Sequence, residues 1–398
     1  DNHDGIIELP EDSQIGLPIA EIINLNDPVI EIELTPNRGD CLGVRGIARD
    51  LSAAGMGKLK DLNTVKVEGD FDSLINWKID LSGSEKKLCP KIFGRSFSNL
   101  ENIESPTWLK NRLLAVDQRP ISSIVDITNY IMIDIGRPLH AYDIEKIKGD
   151  CLTIKMSKKG DEFHALNGNV YELDEGMLVI SDKHGVDDLA GIMGGERTGV
   201  TESTTKMFLE AAIFDPISIA KTGRKLNINS DARYRFERGL DYESPEFVMN
   251  YAVSMIQKIC GGSVSKVVSL EQNHLTKKIK FDPNTTLKLT GVNIDNELSE
   301  KILKKLGFQI NSTKPIWDIT VPPWRSDIDG VADIVEEIIR VKGYSSIPSA
   351  NLPKKNYIAK PAFKSKHRQN FIASRILASR GYNEVITFSF LNKSKAIQ

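Results

Sequence analysis

The sequence predicts an α+β chain of several domains, and three observations lead there. At 398 residues the chain is too long for one ordinary hydrophobic core, so about two to four domains are expected. Helical patterns with clear caps recur along it, interspersed with short β-rich runs. No internal repeat or low-complexity tract replaces this pattern with a solenoid or a disordered segment.

Taken in order, Val29 to Leu34 (VIEIEL) reads as a strand, followed by a turn at Pro36-Asn37-Arg38-Gly39-Asp40. Asp40 is then the expected N-cap of a helix over Cys41–Ala54. Lys60 to Asp72 is polar and reads as a hinge. Ser105-Pro106 supplies an N-cap and a first-turn proline for a helix carrying Trp108, Leu109 and Leu113. Between Cys151 and Ser181, β-rich runs flank Asn167-Gly168, a signal for a type I′ hairpin. Asp215-Pro216 and Ser244-Pro245 each start a helix. The second places Phe247, Tyr251, Met255 and Ile259 on one face and closes at Gly261-Gly262. Residues 90–270 thus read as one large α+β domain.

A smaller unit follows. Its elements are a helix from Asp295 to Leu306 stopped by Gly307, a strand over Trp317–Val321, and a helix over Gly330–Val341. A Pro/Lys-rich linker, Leu352–Phe363, leads to a last helix and the strand Glu384–Phe390.

Composition narrows the classes without choosing among them. Hydrophobic content of 40% with 27% charge is that of a soluble globular chain. No apolar run reaches the roughly 18–20 residues of a membrane span, and no signal peptide opens the chain. It begins at Asp1 without Met and stops at Gln398 after a strand-like run, so both ends read as cut from a longer protein. Cys41, Cys89, Cys151 and Cys260 are too widely spaced for a metal knuckle, and free buried thiols in a reducing cytoplasm are expected. The net charge of −2 means that any nucleic-acid contact must rely on a local patch. The six histidines form no H-x-x-x-H pair, and no Walker loop or G-x-S-x-G elbow occurs, which argues against zinc and serine-hydrolase chemistry.

Three clusters remain: Val125–Tyr130 with Gly136–Asp143, Ala190–Glu196 with Leu209–Ala212, and Ser230–Gly239. Each has a plain structural reading. Gly194-Gly195 suits a tight turn with positive φ. His140 suits a hydrogen-bonded core histidine. The arginines of the third cluster can pair with Asp231, Glu237 and Asp241. A further group lies in the small unit, where Asp333, Glu336 and Glu337 share a helix face with Asp327 just before it. Asp333 and Glu337 are like charges one turn apart, unfavourable unless a cation lies between them. The plain alternative is a solvated acidic helix start with Glu336 paired to Arg340.

The strings VDITNY, GRPLHAYD, AGIMGGE, LEAAIFDP and SDARYRFERG occur in that order. Together they resemble the signatures of the phenylalanyl-tRNA synthetase beta-subunit family, bacterial type, and with the flanking segments the resemblance covers essentially the whole chain. It implies the end of an OB-type tRNA-binding region and a small α+β domain over 1–88, and a B3/B4-type editing domain over 89–275. A winged-helix-like B5-type domain over 276–350 and the start of a class II synthetase-like module over 351–398 follow. The implied function is binding of tRNA and hydrolysis of mischarged tyrosyl-tRNA(Phe). ATP-dependent aminoacylation would reside in an α2β2 complex with the alpha subunit.

The same resemblance assigns Asn129, His140 and Glu210 to catalysis, and Thr128, Gly191, Gly194, Ser230 and Ala232 to substrate binding. An apolar pocket rejects an added hydroxyl only about a hundredfold, so a second site that selects the hydroxyl is required. A buried carboxylate accepting the phenolic O–H, the role implied for Glu210, does this. Gly191 and Gly194 would let backbone approach the substrate, and Ala232 would leave room for a ring. WRSDIDGVADIVEEIIRVKGY resembles the segment whose acids Asp327, Asp333, Glu336 and Glu337 hold a Mg²⁺ shared with the alpha subunit, a hard cation suited to oxygen ligands. The rival expectation is a non-catalytic tRNA-binding and assembly scaffold. A phosphate-binding enzyme using Ile192–Gly199 fails for want of a following Lys-Ser/Thr.

Overall fold

The computed structural model describes residues 6, 9, 11–22, 28–62, 64–272, 275–312, 315–351 and 362–397. The expected linker Leu352–Phe363 falls mostly outside them. Asp1–Pro348 form one compact unit and Ser349–Gln398 a second.

The first unit opens with helices α1 (Ile19–Ile22) and α2 (Val44–Ala53). Strands β1 (Asn76–Asp80) and β2 (Lys91–Ser98) and helices α3 (Thr107–Leu114) and α4 (Ser123–Ile135) follow. Next come β3 (His140–Asp143), β4 (Cys151–Met156), β5 (Asp161–His164), β6 (Val170–Leu173), β7 (Leu178–Ser181), β8 (Val186–Leu189), β9 (Met193–Gly194) and β10 (Met207–Ile213). Helices α5 (Pro216–Leu226), α6 (Asp231–Phe236) and α7 (Ser244–Cys260) and strands β11 (Ser263–Val264) and β12 (Val268–Glu271) complete the large body. A smaller body is built from β13 (Lys278–Phe281), α8 (Asn284–Thr290), α9 (Asn296–Lys305), β14 (Gln309–Ser312), β15 (Trp317–Thr320) and α10 (Val331–Lys342). The second unit contributes α11 (Ser365–Ser379) and α12 (Lys393–Ala396).

Two main sheets make the large body: one in the order β1-β4-β7-β8-β9, the other β11-β2-β10-β3 with β12 also on β2. Strand β10 is buried along its whole length, and its period of two divides it between two cores. Met207, Leu209 and Ala211 join one core with residues of α3, α4 and α7. Phe208 and Ala212 face the other, shared with the first sheet. Glu210 falls on this second face by alternation, so the strand that anchors the sheet carries a carboxylate into an apolar layer. The small body has its own core around Phe281, Leu303, Trp317 and Ile338 beneath the sheet β13-β15-β14.

The fold is α+β, as expected, but side-chain N-caps form at only some helices: α5 and α6 have one, whereas α2, α3, α4, α7 and α9 do not. Asp215 accepts from Ser218 N–H at 2.8 Å and starts α5. All four cysteines are free, three of them buried.

Five local expectations are corrected. Ser105 does not cap α3: Pro106 occupies the N-cap position, and Ser105 Oγ donates to Asp126 Oδ2 at 2.6 Å. Asp40 does not cap α2; it lies in a 3₁₀ turn, where its carboxylate accepts from Arg38 at 2.9 Å, and Gly43 occupies the N-cap. The hairpin at Asn167-Gly168 forms, but only Gly168 has positive φ (78°). Gly168 N–H bonds Ala165 O at 2.9 Å, which makes it a type I turn followed by a left-handed glycine. Val29–Leu34 and Glu384–Phe390 are irregular, and Ile30 and Ile386 are 78% and 100% exposed. An alternating run becomes a strand only where an edge is available to pair with it, and among the described residues neither run has one.

Candidate functional site

One cavity of about 260 Å³ lies against the second face of β10. All eight residues expected there line it: Thr128, Asn129, His140, Gly191, Gly194, Glu210, Ser230 and Ala232. Five pieces of chain bring them together. Helix α4 carries Thr128 and Asn129, and β3 carries His140. The turn through β9 carries Gly191 and Gly194, β10 carries Glu210, and the start of α6 carries Ser230 and Ala232. His140 and Glu210 are register partners across the β3–β10 pair, so neighbouring strands deliver both to one wall.

Some polar groups serve the local fold first. Thr128 Oγ1 donates to Val125 O at 2.7 Å. Ser230 Oγ donates to Ile192 O at 2.6 Å and accepts from Arg233 N–H, capping α6 and tying it to the glycine turn. Asn129 makes no side-chain hydrogen bond among the described residues and is free to meet a ligand.

The cavity's electrostatics centre on a cluster the sequence did not disclose. Tyr142 Oη lies 2.8 Å from Glu210 Oε2 and 3.0 Å from Asp188 Oδ2, all three side chains being buried. A hydroxyl has one proton, so it donates to only one of these acids, and the other must be protonated and donate to it. Burial pushes the Asp188 carboxyl well above the usual carboxylate range, and the nearby Glu210 charge adds to this. Glu210 is pushed up by burial to about 7, held back by the Tyr142 hydroxyl and then by the Arg137 guanidinium. The consistent arrangement is a chain in which protonated Asp188 donates to Tyr142 and Tyr142 donates to Glu210. The other Glu210 oxygen, Oε1, makes no hydrogen bond among the described residues and belongs to a residue lining the cavity.

His140 completes the wall. Its Nε2 has no hydrogen-bond partner and lies 3.8 Å from Asp188 Oδ2, with the side chain 21% exposed. Burial pushes its pKa down to about 4, so the imidazole is neutral at pH 7. The expected core histidine with satisfied bonds is thus not what forms. The ring fits because residue 194 is glycine: a Cβ there would stand 2.2 Å from His140 Cε1. Gly191, by contrast, is required by its φ of +67°. Glu210 does not pair with Arg233, whose guanidinium holds Glu237 at 3.1 Å.

Residues 88–261 match the B3/4 domain and residues 279–344 the tRNA synthetase B5 domain. The phenylalanine–tRNA ligase beta subunit of Paramagnetospirillum magneticum is 44% identical over 100% of this chain and 50% of its own length. That of Bradyrhizobium diazoefficiens is 43% identical over 99% and 49%. The chain belongs to the phenylalanine–tRNA ligase beta-subunit family. It spans about half the length of the curated relatives it matches. A solved N-terminal fragment of the phenylalanyl-tRNA synthetase beta-subunit from Pyrococcus horikoshii is 17% identical over 82% of this chain and 95% of its own. Its TM-score of 0.42 is too low to carry an argument. Among the described residues no helix is long and apolar enough to cross a membrane.

The segment that matches the B5 domain disposes its acids differently from the expected Mg²⁺ cage. Glu337 is 2% exposed and lies between Arg325 and Arg340, to both of which it is hydrogen-bonded. Opposed by the cost of burial, these hydrogen bonds hold its carboxyl down at about 2. Asp327 bonds Arg325 at 2.9 Å through both oxygens. Asp333 accepts Asp329 and Gly330 N–H groups at 2.7 and 2.8 Å and caps α10. Glu336 is exposed, and Arg340 pairs with Glu337 and Asp50 rather than with it. No three of the four bring ligand atoms together. Among the described residues the only such group is Asp40, Cys41 and Asp50, and there the Arg38 guanidinium already bonds all three. The donor set does not fit a metal ion as it stands: two of the four charges are neutralised by arginine.

Tyr142 and Asp188 are the site residues that sequence reasoning missed. Tyr142 stands two positions beyond His140 on the same strand, and the period of two puts it on the same face. Asp188 carried a weaker signal: in Val186-Asp187-Asp188-Leu189, adjacent acids must point to opposite faces. Asp187 finds Arg197, which leaves Asp188 to face the cavity.

Proposed function

We propose that the cavity between β3, β9, β10 and α6 hydrolyses the ester of tyrosyl-tRNA(Phe), so that the chain edits mischarged tRNA. The observation that carries this reading is the buried Glu210 carboxylate, fixed by Tyr142 through one oxygen and with the other free at a cavity whose wall also includes Met132, Leu139, Ile192 and Phe236. A tyrosine side chain entering it meets an acceptor for its hydroxyl. A phenylalanine side chain leaves that acceptor unpaired, at a cost of about 1–3 kcal/mol.

A neutral His140 with its pKa near 4 is a poor proton acceptor at pH 7. It positions water through Nε2 beside Asn129 rather than abstracting its proton. The competing reading, a binding scaffold, is disfavoured by the same cluster, because buried acids raised this far cost stability that a scaffold has no reason to bear. In this reading the tRNA(Phe) substrate is presented within an α2β2 assembly whose alpha subunit carries aminoacylation with ATP and Mg²⁺. No step is assigned to Mg²⁺ at Asp327, Asp333, Glu336 and Glu337. Single-turnover deacylation of tyrosyl-tRNA(Phe) by the purified chain tests the proposal. Release above the spontaneous rate supports it, and release at that rate rules it out for this chain.

A further inference from the structure

A second cavity, of about 330 Å³, lies on the far side of Arg137, where the end of α4 meets α2 and the Pro323-Trp324 turn. Three arginines line it, Arg45, Arg49 and Arg137. Arg137 is 2% exposed, and neither its Nε nor its Nη1 has a hydrogen-bond partner; only Nη2 is used, donating to Ala212 O. No ion pair holds it among the described residues. Arg49 stacks over the Trp324 ring at 4.2 Å. Its Nη1 is 3.6 Å from Asp40, beyond hydrogen-bond reach, and is likewise unpartnered. Trp324 Nε1 is unpartnered too. Four of the eleven buried side-chain polar atoms left unpaired among the described residues thus belong to side chains that line this one cavity, and all four are donors. Buried N–H groups left without acceptors are rare in native proteins.

The acids around the cavity do not supply that acceptor. Asp40 is bonded by Arg38 at 2.9 Å and Glu243 by Lys91 at 3.2 Å. Asp241 accepts Glu243 N–H at 2.9 Å; burial raises its pKa while the Arg137 and Arg49 charges lower it, and among the described residues it hydrogen-bonds neither guanidinium. Burial lowers Arg137 only to about 10, so it is charged at neutral pH. What is missing is an oxygen-rich anion.

We propose that this cavity is a phosphate-binding site, with Arg137 and Arg49 as its paired guanidinium donors and Trp324 as a third. Guanidinium groups match phosphate oxygens in a bidentate geometry that no single water reproduces. The volume exceeds that of one phosphate and leaves room for an attached sugar. The phosphate can come from solution or from an RNA terminus, and the two sources share the same donors.

Isothermal titration of the whole chain with inorganic phosphate, at fixed ionic strength against chloride, tests the site. A 5′-phosphorylated trinucleotide forms a second arm, with Arg49→Gln and Arg137→Gln as variants. Saturable binding of either probe, weakened at least about tenfold by each variant as for a lost charge-assisted hydrogen bond, is expected. If the trinucleotide displaces inorganic phosphate, the source is RNA; if only inorganic phosphate binds, the source is soluble. Should Arg137→Gln fail to fold, the less deeply buried Arg49→Gln decides alone. Failure of both probes to bind saturably, or binding unchanged in Arg49→Gln, overturns the site.

Discussion

Glu210 is a carboxylic acid at the centre of a seven-residue buried strand, and it survives there because Tyr142 meets one of its oxygens at 2.8 Å. Its position was legible from sequence, since a lone acid in Met207-Phe208-Leu209-Glu210-Ala211-Ala212 has no solvent face to occupy. The hydrogen-bond chain from Asp188 through Tyr142 to Glu210 was not legible, because it depends on strands that sequence alone does not bring side by side. The raised pKa has a consequence for stability. From about 4.5 to about 7 the folded protein binds a proton at Glu210 that the unfolded chain has lost, so stability falls as pH rises through that window. Denaturant unfolding of Glu210→Gln between pH 4.5 and pH 7 should therefore show a shallower decline than the parent. Parallel curves would mean that Glu210 titrates normally. Ala232 lines the same cavity. Ala232→Trp should reduce deacylation of tyrosyl-tRNA(Phe) by about tenfold or more through blocked entry, with melting unchanged within a few degrees. Full activity in the folded variant would remove Ala232 from the substrate path.

At the scale of elements, the helices were read closely from caps and periodicity. Asn296–Lys305 and Val331–Lys342 fall within two residues of expectation, because apolar periodicity and a stop such as Gly307, with its positive φ, are local signals. Strands fared worse where pairing partners decide, as at Val29–Leu34 and Glu384–Phe390. Helix α10 shows a third case: the sequence put Asp333, Glu336 and Glu337 on one face, but it did not bring Arg325 to Glu337, and it offered Arg340 to Glu336 instead. Arg325 approaches from the turn before the helix, and Arg340 links α10 to Asp50 on α2 at 2.7 Å. Glu337 is consequently structural in this chain. Its pKa is depressed from 4.5 to about 2, so the pair stabilises the fold above about pH 4.5, and the contribution is lost as pH falls towards 2. Glu337→Gln should cost about 3 kcal/mol at pH 7 and almost nothing near pH 2. An equal melting temperature for parent and variant at pH 7 would show that the ion pairs contribute nothing net.

At the scale of the whole molecule, the site gathers residues from Thr128 to Ala232 on five separate pieces of chain. Their convergence was inferable only from a resemblance, since no spacing rule connects α4 with β10. Two sheets and a helix start converge there because β10 carries apolar side chains to one core and Glu210 to the other. The central claim is that this convergence selects the substrate by its hydroxyl, and one pair of rates addresses it most directly. Single-turnover deacylation of tyrosyl-tRNA(Phe) and phenylalanyl-tRNA(Phe) should be measured for the parent chain and for Glu210→Ala, in which Tyr142 keeps Asp188 as a partner. The expected result is a loss of about 1.5–3 kcal/mol in transition-state stabilisation, roughly ten- to a hundredfold, on the tyrosyl ester alone. The phenylalanyl rate should hold or rise. An equal loss on both esters, or none on either, would contradict the selective role of Glu210.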